Sequence, residues 1–133
     1  MNAGISKVSP VLGVKRVRQA AEYYRDVLGF YLDPVDGVFQ PSDDEPDGVY
    51  AIVKRNDTWI HFQIRNREAS PRKRRSLERD IYIYVKDVEG LHADLKHRGA
   101  KIMQPPFEAP CGLREFSIED LNGYRLTFGQ PIP

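Results

Sequence analysis

The chain has 133 residues, 41% hydrophobic and 29% charged, a balance that suits one soluble domain with a real core. A formal net charge of +1 excludes bulk electrostatic binding of nucleic acid or anionic membranes, and a single cysteine, Cys111, excludes an intrachain disulfide framework and a multi-cysteine zinc site. No apolar run reaches bilayer length or forms the core of a secretory signal, so a cytoplasmic protein without a membrane partner is expected.

In chain order, residues 10–14 (PVLGV) read as a short strand. Val17, Ala20, Ala21, Tyr24 and Leu28 then recur at helical spacing, and Gly29 stands where a helix ends in the left-handed region. Residues 30–32 read as the start of a second strand. The segment 33–48 is rich in Asp, Pro and Gly without a helical period and reads as loop. Strands are expected over 49–54 and 58–64, around an Asn56-Asp57 turn. A basic, proline-containing connector follows, read as a solvated linker rather than a nucleic-acid footprint, because aromatic residues are not interleaved with its charges.

The pattern then restarts. Ile81, Ile83 and Val85 define a strand, Asp87 is placed to cap a helix, Val88, Leu91 and Leu95 form its apolar stripe, and Gly99 closes it. Residues 101–103 read as a short strand and 104–112 as a proline-rich loop. The last segment, 113–130, alternates on both sides of Asn122-Gly123 and reads as a hairpin. Both halves are therefore strand, helix, then three strands. The predicted fold is α+β: two tandem βαβββ modules forming a curved mixed sheet around a cavity, with the helices on the outer face. The single domain spans 1–133, with module one at about 8–65, the basic linker at 66–79 and module two at 80–130. Superposing the two final hairpins pairs Thr127 with His61, Arg125 with Trp59 and Ser117 with Ala51.

Period-two alternation assigns each strand residue to one of two faces. Leu12, Val14, Ile60, Phe62, Ile81, Ile83, Val85, Phe116, Leu126 and Phe128 form a uniformly apolar set for the helix side. The opposite set lines the expected cavity: Ser9 and Val11; Trp59, His61 and Gln63; Asp80, Tyr82 and Tyr84; Glu115, Ser117, Arg125 and Thr127. On that wall Trp59, Tyr82 and Tyr84 offer rigid apolar faces with polar tips, and Asp80 and Glu115 offer negative charge. Arg125 either forks onto an anionic group or pairs with Glu115 across the hairpin.

The segments AAEYYRDVLGF (20–30), VKDVEGLHADLKHRGA (85–100) and LREFSIEDLNGYRLTFGQ (113–130) resemble the helix-end and last-hairpin signatures of the vicinal oxygen chelate superfamily, the glyoxalase, bleomycin-resistance and extradiol-dioxygenase group. The resemblance covers nearly the whole chain. It implies the fold, but the superfamily hosts many chemistries. In metal-dependent members the ligand positions correspond to Ser9, His61, Asp80 and Thr127 here. Two of these are neutral hydroxyls, poor donors to a hard divalent ion. No cofactor is therefore expected. If a divalent metal were bound, His61, Asp80 and Glu115 would have to hold it.

The resemblance thus implies a metal-free binder of a small aromatic or charged molecule, of bleomycin-resistance character and with unknown catalytic residues. The alternative is a divalent-metal lyase, isomerase or dioxygenase acting on vicinal oxygens. A further alternative is acid–base chemistry with His61 as base, oriented by Asp80. Members of this size also lead one to expect a homodimer.

Overall fold

The computed structural model describes residues 3–65 and 78–133; most of the basic linker lies outside the described residues. Module one runs β1 (Val11–Val14), α1 (Val17–Asp26), β2 (Val38–Phe39), β3 (Tyr50–Arg55) and β4 (Thr58–Ile64). Module two runs β5 (Ile81–Tyr84), α2 (Val88–His97), β6 (Lys101–Ala109), β7 (Leu113–Glu119) and β8 (Arg125–Pro131). The strands form two four-stranded mixed sheets, ordered β1-β4-β3-β2 and β5-β8-β7-β6. In each, the module's first strand pairs in parallel with its last, β1 with β4 and β5 with β8.

Both helices form for the reasons written in their sequences. α1 buries Val17, Ala20, Ala21 and Tyr24, one stripe at a 3.6-residue period. In α2 the Asp87 carboxylate accepts the Gly90 N–H at 3.0 Å, satisfying an amide that the first turn leaves without a helical partner. Gly29 terminates α1 at φ 71°, which lets the Phe30 N–H reach back to the Tyr24 carbonyl at 2.9 Å. No helix among the described residues is long and apolar enough to cross a membrane.

Three local expectations need correction. Residues 30–32 make only an isolated bridge, Tyr31 to Lys54, and the module's second strand lies at Val38–Phe39, inside the expected loop. Asp33 explains the break: its carboxylate accepts the N–H groups of Val35 and Asp36, reversing the chain before pairing resumes. Residues 104–109 are strand rather than loop. They tolerate Pro105 and Pro106 because β6 is an edge strand, and register shifts fall between Ile102 and Gln104 and between Gln104 and Phe107. Finally, Ser117 corresponds to Ile52, not Ala51. His61 pairs with Ile52 as Thr127 pairs with Ser117, because the second hairpin's reversal is one residue longer than the first.

The helix-side residues of both sheets belong to a single buried cluster that includes Leu12, Phe62, Phe116 and Phe128. Across it the modules are tied by Tyr24 to Asp120, by the Tyr124 hydroxyl to the Gly13 carbonyl at 2.7 Å, and by Arg55 to Asp94 at 3.3 Å. Each helix packs on the apolar face of its own sheet, which leaves the polar residues of the strands on the opposite face.

Candidate ligand site

The predicted wall residues divide between the two polar faces. On module one's face stand Val11, Trp59, His61 and Gln63, joined by Tyr50 and Ile52 of β3, while Ser9 lies two residues ahead of β1. The His61 Nδ1 and the Tyr50 hydroxyl are 2.6 Å apart, with the rings edge to face. Lys7 Nζ lies 3.4 Å from the Trp59 ring centre and Lys54 Nζ lies 5.4 Å from it, so the indole carries two cations.

Module two's face is built in rows set by the ladder. One row holds Tyr82, Thr127 and Ser117, and the next holds Tyr84, Gly129 and Glu115. Asp80 borders Arg125 and Glu119: its backbone N–H donates to the Arg125 carbonyl while its carboxylate accepts the Arg125 N–H at 2.9 Å. Ser117 and Thr127 share a hydrogen bond of 2.8 Å between their hydroxyls.

Glu115, only 2% exposed, accepts hydrogen bonds from the Tyr82 hydroxyl at 2.8 Å and from the Arg79 guanidinium. Such charge-assisted bonds are what a carboxylate needs to remain buried. Burial, followed by the hydrogen bond and negative charge of Glu115, pushes the Tyr82 phenol up to about 12. Tyr82 reaches Glu115 by crossing Gly129, where a Cβ would collide with the phenol ring and hydroxyl.

The face therefore gathers Tyr82, Tyr84, Glu115, Ser117 and Thr127, and keeps Trp59, His61 and Gln63 on the other sheet. The Arg125–Glu115 pair of the sequence reading does not form. Arg125 sits opposite Glu119, its Nε 3.6 Å from that carboxylate, whereas Glu115 lies opposite Gly129. His61 hydrogen-bonds to Tyr50 in one sheet, and the Asp80 carboxylate accepts the Arg125 backbone N–H in the other.

Sequence reasoning missed Tyr50, Ile52, Arg79 and Gly129. The longer second reversal hides the first two, and Arg79 falls at the end of the basic linker segment. Gly129 carried a signal, since a glycine inside a strand marks a close approach.

Within one chain the candidate metal donors do not converge. Thr127's hydroxyl is committed to Ser117, Ser9 and His61 belong to the other module, and both Glu115 oxygens are engaged. Asp80 and Glu115 are four residues apart along the sheet, about 13 Å at strand rise, too far to share one ion. Among the described residues no three His, Cys, Asp or Glu side chains form a metal-binding group.

A cavity of about 560 Å³ lies elsewhere, on the helix side between the turn at Asn56-Asp57 and α2; of the predicted wall residues, Tyr84 borders it.

Solved structures with this architecture include TioX from Micromonospora sp. ML1, at 20% identity and TM-score 0.71 over 96% of this chain and 99% of that one. A glyoxalase-related enzyme from Clostridium phytofermentans matches at 19% identity and TM-score 0.75, over 97% of each chain. A bleomycin-binding protein from Streptomyces verticillus, complexed with copper(II)-bleomycin, matches at 23% identity and TM-score 0.70, over 96% of this chain and 97% of that one. At such identities the likeness concerns the fold. No curated protein matches the sequence. The family profile described as Glyoxalase/Bleomycin resistance protein/Dioxygenase superfamily matches residues 6–128, nearly the whole chain, and the protein belongs to that superfamily.

Proposed function

We propose that this protein binds a small aromatic or charged molecule without chemistry and without a resident metal, as a cytoplasmic homodimer. The ligand lies against the polar sheet faces, with Trp59, His61 and Gln63 on one wall and Asp80, Tyr82, Tyr84, Glu115, Ser117, Arg125 and Thr127 on the other. The observation that carries this reading is the Ser117–Thr127 hydroxyl pair. It fills the centre of module two's wall, at the last-strand position where a metal-dependent relative would need a carboxylate. The neighbouring Tyr82 and Tyr84 rings, 5.2 Å apart and edge to face, supply the apolar surface a planar ligand would stack on.

A second copy completes the groove by bringing module one's polar face of one chain against module two's polar face of the other. Tyr84, 71% exposed, and Val11, 47% exposed, stand on β5 and β1, the edge strands that such a copy would cover.

Trp59 is the sole tryptophan, so its fluorescence reports the wall directly. Titration with a panel of planar aromatic cations and carboxylates is expected to quench it, with Trp59→Ala silent and Tyr82→Ala weakened. No response across the panel would refute the reading. So would stoichiometric retention of zinc, nickel, manganese or iron by protein purified from supplemented medium.

A further inference from the structure

The two modules repeat one topology, and the two seams between them differ. The strand registers equate His61 with Thr127 and Val11 with Tyr82, hence Thr58 with Tyr124 and Gly13 with Tyr84. Aligning the helices from their first residues equates Tyr24 with Leu95. Counting inward from Lys54 and Glu119 equates Arg55 with Asp120.

In one seam, Tyr124 reaches the Gly13 carbonyl at 2.7 Å and Tyr24 bonds to Asp120 at 2.5 Å, so two phenol rings close the junction. In the other, their counterparts are Thr58 and Leu95. Neither fills the space of a phenol, and Arg55 crosses this seam to Asp94 at 3.3 Å without closing it. All four counterparts, Arg55, Thr58, Tyr84 and Leu95, border the cavity of about 560 Å³.

We infer that this open seam is a second binding site, adjoining the polar face at Tyr84, for an uncharged and largely apolar organic molecule. Its volume falls within the range of about 300–1,000 Å³ that suits small organic ligands. Apolar side chains border it: Leu28, Phe30, Ile83, Leu91, Leu95 and Phe128. Its charges are matched at the rim. Arg55 binds Asp94 and the Leu28 carbonyl, and Asp87 caps α2. Lys86 and Asp57 oppose one another in sign, so neither a cation nor an anion is favoured.

N-phenyl-1-naphthylamine, an uncharged dye that brightens in apolar surroundings, tests the assignment in the full chain. The wild type is expected to bind about one dye per chain at saturation. Thr58→Tyr rebuilds the closed seam and Leu91→Trp fills it independently; each is expected to weaken binding about tenfold or more. Thermal melts verify that both variants fold. Tyr82→Ala and Trp59→Ala, on the polar faces, are expected to leave dye binding unchanged while impairing the Trp59-linked ligand response. No dye binding by the wild type would overturn the inference. Binding retained in both folded seam variants, lost in Tyr82→Ala, or appearing only with self-association would overturn it as well.

Discussion

Tyr24 in α1 donates its phenol proton to Asp120, ninety-six residues away, in a buried 2.5 Å hydrogen bond that ties one module to the other. Asp120 also accepts the N–H groups of Asn122 and Tyr124, so a single carboxylate shapes the last hairpin's reversal and holds the seam shut. Burial and the neighbouring carboxylate push the Tyr24 phenol well above its usual value, so it remains a donor at all physiological pH.

Tyr24→Phe keeps the ring and removes the bond. A buried hydrogen bond to a charged acceptor contributes about 1.5–3 kcal/mol, and the variant should lose that much in a urea titration with unchanged slope. An unaltered midpoint would show that the seam is held by packing alone.

Asp120 itself makes stability depend on pH. Burial raises its carboxyl above the ordinary 3.8 despite the hydrogen bonds from Tyr24, Tyr124 and Asn122. The folded state therefore binds this proton more tightly than the unfolded chain does. That contribution is full below the unfolded value and fades as pH rises through the folded one. Measured against Asp120→Asn, the wild type should gain relative stability as the solution is acidified toward pH 3.8. A difference that is flat or opposite in sign would contradict the assignment.

The Glu115–Tyr82 pair predicts a spectroscopic signature. One tyrosine should ionise near 12, and Glu115→Gln should bring it down by removing the negative charge, though only part way, because burial is the larger cause. Gly129→Ala should do the same by displacing the Tyr82 ring, at a cost of about 1–3 kcal/mol for overpacking. Phenolate absorbance followed against pH tests both; identical titrations in wild type and variants would refute the pairing.

Self-association is the fourth test. Sedimentation at micromolar concentration should give a dimer. Val11→Glu combined with Tyr84→Glu should raise its dissociation constant about tenfold or more by burying charge at the paired faces. A wild type that sediments as a monomer would remove the second copy from the proposed groove.

Much of this arrangement is legible in the order of residues. Alternation along 58–64 and 113–130 separates Ile60, Phe62, Phe116, Leu126 and Phe128 from His61, Ser117 and Thr127, and the structure places the two sets on opposite faces. Slipping the register by one would exchange the two sets and turn Ile60, Phe62, Phe116, Leu126 and Phe128 away from the helices, which makes the sidedness robust. The proline-rich stretch of β6 was harder to read, because composition does not reveal that a strand lies at an edge, where prolines cost little.

What the sequence by itself determined is the repeated module, the placement of the helices and the polar or apolar character of each strand face, since these depend on contacts within a few residues. Only the tertiary structure decided which residues meet across the chain. Glu115 is held by Arg79 and Tyr82 rather than Arg125, and Tyr24 finds Asp120 while its counterpart Leu95 borders a cavity. These outcomes turn on one additional residue in a reversal and on the packing of one module against another. Local periodicity carries no information about either, because both are set by distances between segments remote in the chain.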